Sequence, residues 1–437
     1  MAFTLTLLGT DTQYSPSPTL PYYPRGETLS FVSACIAGDP LIYSALDPQT
    51  VPLRNKAVVL INGPTTLGSE VGDRIAQGIL AVLEALSRGE TEINLIGHSR
   101  GGAEAILIAH ELYRLKSLFL SRQKVEVDRL MQSECSYTQI ALTKLKETLV
   151  KLRDKANEAI KSGFANLSVG IFVLDPVPGG AALGLSKLAW EDTRFYELPE
   201  IVTKFEGYYF VNEHTSCFEP VIPKQNAKHT QFQIEGLPGH HGTGSGNFHT
   251  QQGHPLPEGV GSTEHIQELV ILKLIHFLNL RSVKFDFSRG GLLGCNLSLI
   301  ERAQSVFVED KLCFNKLEKQ FFQLYSAIAI NLAAHAHFDG TAYPLLGHNN
   351  PTEGDVNDRF IRNSPHQTAA LSAYIPPMHA DSVVNLEHAI LTIKAEFGWE
   401  SHPSLSAMIQ NIGVKLINFC ENHQASSQVA DQIISED

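Results

Sequence analysis

The sequence predicts an α/β fold: a mostly parallel sheet flanked by helices, interrupted by a helical insertion and followed by a helical C-terminal region. Three observations carry this. Residues 57–62, 93–96 and 167–174 are short and almost wholly apolar, as strands covered on both faces are. Each runs into a Gly- or Asp-bearing loop. Amphipathic segments at helical spacing separate the early runs, and alternating strands and helices build a parallel sheet.

In chain order, Phe3 to Leu8 alternates and ends at Gly9-Thr10-Asp11, a strand and a glycine loop. Residues 13–24 are rich in Pro, Ser and Tyr and read as a surface loop. The run Ala57 to Asn62 is a buried strand that stops at Gly63-Pro64-Thr65-Thr66. A helix over 70–86 follows, with Val71, Ile75, Ile79, Val82 and Leu83 on one side. Next comes a strand at Ile93 to Ile96, the turn Gly97-His98-Ser99-Arg100-Gly101-Gly102, and a helix over 103–118.

Residues 119–162 are charged and helical, with Leu145, Leu149 and Leu152 on one stripe, so sheet rhythm is interrupted by an insertion. Its plain reading is a solvated helical hairpin. The sharper one is a cap over a site, or a partner surface. The sheet resumes at 167–174, ending in Asp175-Pro176-Val177-Pro178. Tyr208 to Val211 is a further strand entering Asn212-Glu213-His214, and His229 to Ile234 the next. A loop dense in Gly and His, 236–247, precedes a strong helix over 263–280. Residues 1–296 therefore read as one α/β unit and 297–437 as a helical accessory region with a polar acidic tail.

The 437 residues carry a net charge of −12, which argues against general nucleic-acid binding. Six cysteines without a Cys-x-x-Cys spacing read as reduced thiols, neither a disulfide frame nor a zinc site. The amino terminus lacks a basic head and a long apolar stretch, and no segment is apolar for long enough to span a bilayer. The expectation is a protein soluble in the cytoplasm where it is made, with export by a machinery that reads no cleavable signal left open.

Strand, tight Gly-x-Ser-x-Gly turn and helix together form a nucleophile elbow. The serine must sit on a strained turn, and Gly97 and Gly101 keep side chains off its flanks. The next helix aims its N–H groups and positive dipole end at the serine oxygen. Acyl transfer by serine also needs a base and an acid that orients it, in the chain order Ser, acid, His. That order is met by Ser99, Asp175 and then His240 or His241, each in a loop at the same sheet edge. Glu213, after the next strand, is the alternative acid; Asp175 is preferred because it directly ends an apolar strand and the breakers Pro176 and Pro178 fix the chain's exit after it. An oxyanion needs two N–H donors. Arg100, directly after the nucleophile, supplies one, and Thr10 the other, with Gly63 and Thr65 as runners-up; Pro64 has no N–H.

His240, His241, His249 and His254 could instead hold a metal, but histidines without cysteines or a helical His-x-x-x-His pair are a weak metal signal. Neither a metal nor a cofactor is expected. His335, His337 and His348 read as surface or core residues.

Several segments in order resemble the bacterial α/β-hydrolase family that includes type VI secretion lipase effectors. The elbow Gly97-His98-Ser99-Arg100-Gly101 is similar to its Gly-x-Ser-Arg-Gly, and Leu8-Gly9-Thr10 to its Asp-Gly-Thr. Asn62-Gly63-Pro64-Thr65 resembles Gly-Val-Gly-Thr, Asp175-Pro176-Val177 resembles Asp-Thr-Val, and Phe218-Glu219-Pro220-Val221 resembles Phe-x-Pro-Val. Pro238-Gly239-His240-His241-Gly242-Thr243-Gly244 resembles Pro-Gly-Val-His-Ser-Asp-Val, with Thr243 in place of the family aspartate. The resemblance spans roughly residues 3–280. It implies Ser99, Asp175 and His241 as triad, and ester hydrolysis with phospholipase activity among the family's activities. The expected partners are a lipid or other ester substrate, a membrane surface, and a protein partner reached through the helical regions. The competing class is a catalytically weak or inactive hydrolase-fold protein that binds a partner as an effector module.

Overall fold

Seven strands hydrogen-bond in the order β2-β3-β1-β4-β5-β6-β7. They are β1 (Ala2–Leu7), β2 (Leu53–Arg54), β3 (Val58–Ile61), β4 (Glu92–His98), β5 (Ser168–Leu174), β6 (Val202–Phe210) and β7 (Gln231–Leu237). All pairings are parallel except β2 with β3. The computed structural model describes residues 2–14, 27–121, 126–178, 192–210, 218, 220–224, 229–237, 241–246 and 263–286. The accessory region expected at 297–437, and Glu213, His240, His249, His254, His335, His337 and His348, lie outside the described residues.

Strand residues alternate between two helical layers. Phe3, Leu5 and Leu7 of β1 join Ile93 and Leu95 of β4 and Val169, Ile171 and Val173 of β5 in one continuous core. Helices α2 (Val71–Ser87) and α3 (Arg100–Leu120) cover this face. The stripe expected on α2 is buried there, each fully buried aliphatic contributing about 1.5–3 kcal/mol. The helix stops at Gly89, whose φ of 87° lets its N–H and that of Glu90 return to the carbonyls of Leu86 and Ala85. The opposite face is covered by α1 (Thr28–Ala34) and α7 (Thr263–Leu280). There Thr6 Oγ1 lies 2.6 Å from Ser33 Oγ, and the rings of Phe172 and Phe277 are 5.6 Å apart.

The insertion forms α4 (Val127–Met131), α5 (Ser136–Lys144) and α6 (Lys146–Ala165), while residues 119 and 120 still belong to α3. These helices make an outer layer against α2 and α3. Tyr137 packs on Gly72 in the first turn of α2, and Gly163 packs on Leu86 in its last, so the layer runs the length of α2.

Four elements differ from the sequence expectation. Helix α1 was hidden in a stretch of mixed propensity; Glu27 creates it by accepting from the amides of Leu29 and Ser30. Strand β2 is too short to show a period. Strand β6 begins at Val202, not at Tyr208, because its first half carries charges. Lys204 Nζ lies 3.1 Å from Glu206 Oε1, and Tyr208 donates to the other oxygen of Glu206 at 2.9 Å, so the strand satisfies them internally. Strand β7 likewise runs to Leu237 instead of ending at Ile234.

Since β1, β4, β5, β6 and β7 are parallel, the loops after Leu7, His98, Leu174, Phe210 and Leu237 gather at one edge, where open α/β sheets bind ligands.

Candidate active site

The elbow is built by close approach. A Cβ on Gly97 would lie 2.3 Å from the carbonyl oxygen of Gly101, and one on Gly101 would lie 2.3 Å from that of Leu7. With both positions bare, α3 starts directly on the end of β4. Ser99 is held between them at φ 55°, ψ −124°, a region that costs a non-glycine residue about 1–3 kcal/mol. Its backbone is fully used. The N–H donates to Leu174 O at 3.0 Å, and the carbonyl accepts from Gly102, Ala103 and Val177 at 3.0–3.1 Å. The strain is thus secured by β5 and the Asp175 loop as well as by α3.

Asp175 also has a positive φ, 44°, and no exposure to solvent. Its N–H donates to Tyr208 O at 2.8 Å, and its Oδ1 accepts from the Phe210 N–H at 3.3 Å. The other oxygen, Oδ2, lies 2.5 Å from Nδ1 of His241. Tyr209, beside it, has its phenol pushed well above the usual range, first by burial and then by the negative charge of Asp175.

His241 lies just beyond the end of β7, and its Nε2 is 2.7 Å from Ser99 Oγ. Three residues from three sheet-edge loops therefore form one chain of hydrogen bonds. A carboxylate can only accept, so Nδ1 carries the imidazole hydrogen and Nε2 is free to accept from the serine hydroxyl. Two rings pack against the imidazole. Phe218 stacks on it with ring centroids 4.6 Å apart, and the His98 ring is 4.9 Å away.

The loop after β1 brings Gly9 against His98, next to Ser99. The backbone N–H groups of Thr10 and Arg100 have no acceptor among the described residues. The runners-up are engaged: Gly63 N–H donates to Thr12 O at 2.9 Å, and Thr65 N–H to Glu70 at 3.3 Å.

The Arg100 side chain turns away from the serine and straps two loops together. Its guanidinium donates to the carbonyls of Thr65 and Thr66 at 2.9 and 3.4 Å, and to Pro178 at 3.3 Å. Burial lowers its proton affinity, opposed by Glu104, Asp11 and Glu70. Asp11 closes the same rim by accepting from both the amide and the hydroxyl of Thr66. Behind the elbow on α3, Glu104 is buried and its carboxyl is held well above the usual range by that burial, with Arg74 and Arg100 opposing it.

Sequence reasoning assigned no role to His98, Phe218 or Glu104. His98 stands inside the elbow motif and Phe218 inside the Phe-x-Pro-Val segment, so both positions carried a signal, but nothing in one dimension told which ring they face. Among the described residues no group of three or more His, Cys, Asp and Glu could hold a metal ion.

No family model matches the sequence, and no curated protein matches it. Two solved structures are similar at a distance. One is the Tle1 effector bound to the VgrG spike of the type 6 secretion system, with 12% identity and a TM-score of 0.26 over 59% of this chain. The other is an uncharacterized protein from Pseudomonas aeruginosa, with 14% identity and a TM-score of 0.36 over 90% of this chain. The chain spans 53% and 62% of their respective lengths.

Proposed function

We propose that this chain is a serine hydrolase that cleaves carboxylic esters through an acyl-enzyme. The carrying observation is the hydrogen-bond chain from Ser99 Oγ to His241 Nε2 at 2.7 Å and from His241 Nδ1 to Asp175 Oδ2 at 2.5 Å, set on a positive-φ elbow.

In this reading Ser99 Oγ attacks the ester carbonyl carbon while its proton passes to Nε2 of His241. Asp175 holds Nδ1–H and stabilises the imidazolium. The oxygen of the tetrahedral intermediate accepts from the amides of Thr10 and Arg100, each such donor being worth about 3 kcal/mol in the transition state. Collapse breaks the ester C–O bond, and the departing alkoxide takes the proton back from Nε2. Water then repeats the sequence on the acyl-serine, releasing the acid and restoring Ser99.

Lipid or phospholipid acyl esters are the proposed substrate class. The support is the ordered set of motifs from Gly9-Thr10 to His241, which resembles the lipase-effector family. Such a substrate brings the site edge to a membrane surface. No helix among the described residues is long and apolar enough to cross one. Residues 1–296 are the catalytic unit in this reading, and 297–437 an accessory region available to a protein partner.

The test is labelling of the full chain with a fluorophosphonate probe, followed by a phospholipid panel with products identified by mass. Labelling that is lost in Ser99→Ala, with fatty acid release, supports the reading. Folded protein that takes no probe points instead to a partner-binding module on a hydrolase fold.

A further inference from the structure

The residue before the nucleophile reaches the base from behind. His98 Nε2 lies 2.9 Å from the backbone carbonyl oxygen of His241. A carbonyl only accepts, so Nε2 of His98 carries a hydrogen and donates it. The ring is buried, and its other nitrogen faces the loop after β1: a Cβ on Gly9 would lie 2.7 Å from His98 Nδ1. One imidazole thus touches both Gly9, beside Thr10, and His241, while its backbone is bonded covalently to Ser99.

The base needs such a hold. His241 lies beyond the last residue of β7, so no ladder bond of that strand fixes it. The turn 241–246 is anchored further on by α1, where the Thr28 hydroxyl donates to Gly244 O at 2.7 Å and the Thr28 N–H to Ser245 O at 2.9 Å. Those bonds fix the far end of the turn. At His241 itself the His98 ring donates to the backbone carbonyl, and the two imidazole centroids lie 4.9 Å apart, with Phe218 stacked on His241 as well.

We infer that His98 is a positioning residue: its Nε2–H bond to the His241 backbone sets the height of the base between Ser99 and Asp175. The inference rests on the hydrolase reading above. It predicts that what matters at position 98 is a donor at the Nε2 position. Glutamine reaches about as far and keeps an N–H; leucine fills similar space and has none.

The experiment compares wild type, His98→Gln and His98→Leu as full chains. It measures probe labelling rate at Ser99, kcat and KM on one soluble ester, and the low-field proton resonance of the His241 Nδ1–H bonded to Asp175. His98→Leu should lower the labelling rate and kcat about 10–100-fold with KM little changed, the scale seen when an orienting bond behind a working imidazole is removed. Its low-field resonance should be lost or broadened. His98→Gln should stay within about threefold of wild type on that scale and keep the resonance. Equal losses in Gln and Leu would overturn the inference, because packing of the ring, and not its donor, would then be responsible. Wild-type rates and an intact resonance in His98→Leu would overturn it outright. Should wild-type protein take no label at all, the hydrolase reading fails, and the resonance in the three proteins still decides whether His98 positions His241.

Discussion

Replacing Glu27 by glutamine should remove a pH dependence of stability that the structure builds into the entrance of α1. Glu27 is buried, and that burial raises its carboxyl from an ordinary 4.5 to about 7, although the amides of Leu29 and Ser30 pull the other way. The folded chain therefore holds this proton more tightly than the unfolded one. A tenfold change in proton affinity is worth about 1.4 kcal/mol, so a rise from 4.5 to about 7 corresponds to about 3 kcal/mol. The sign follows from linkage. Below 4.5 the group is protonated in both states and the full contribution is present. As pH rises from 4.5 to about 7 the unfolded chain gives up the proton first, and stability falls by that amount; above about 7 the curve is flat. Glutamine keeps an acceptor oxygen for the cap and cannot ionise. The assay is urea unfolding of wild type and Glu27→Gln at half-unit steps from pH 4 to about 8, plotted as the difference between the two so that all other titrations cancel. A difference that stays constant across this window would refute the reasoning. The effect should reach the site, because the first residue of this helix, Thr28, holds the turn that carries His241.

Other outcomes follow from the site. Ser99→Ala should leave the circular dichroism unchanged and lower ester turnover by several orders of magnitude, since such residues act as a unit; an unaltered rate would place the chemistry elsewhere. Asp175→Asn should cut kcat by about 10⁴ by leaving the imidazole in the wrong tautomer, while Glu213→Gln costs far less; the reverse ranking would move the acid to Glu213. His241→Ala should be as damaging as Ser99→Ala and His240→Ala milder, read on the same ester. Gly101→Ala should differ in kind, because its methyl would meet the Leu7 carbonyl at 2.3 Å. A loss of about 3 kcal/mol in denaturant titration is expected there, and a stability equal to that of Ser99→Ala would show the elbow to be looser than drawn.

The central strands were legible because burial on both faces makes their sequences almost wholly apolar, as in 169–174; in 93–96 the buried exception, Asn94, is matched by the Arg281 side chain. Ser99 and Asp175 were legible for the same reason, as polar residues stranded at the ends of apolar runs. The edge elements were not. Lys204 and Glu206 neutralise one another inside β6, and a one-dimensional reading sees two charges where the sheet sees a pair. Helix α1 owes its start to the buried Glu27 carboxyl group, which composition marks only as an acid. The choice between His240 and His241 could not come from spacing, since the two are adjacent in one glycine-rich stretch; it needed the register of Pro238-Gly239. His98 and Phe218 stayed silent because their contacts join residues more than twenty positions apart.

The described sheet ends at β7, which pairs with β6 alone among the described strands; His241 comes four residues after that strand, whereas Ser99 grows from β4 near the middle. A border strand has one partner to lose. It opens at lower free energy than the interior, as local unfolding does generally. Fraying of β7 would leave His241 held only from the side of His98 and α1, while β1, β4 and β5 keep Ser99 and Asp175 in place. On the proposed function, mild denaturant should therefore abolish ester turnover before the far-ultraviolet signal changes, and dilution should restore turnover at once. Inactivation and melting would be two separate events in this molecule, with the first reporting on seven residues and the second on the whole sheet.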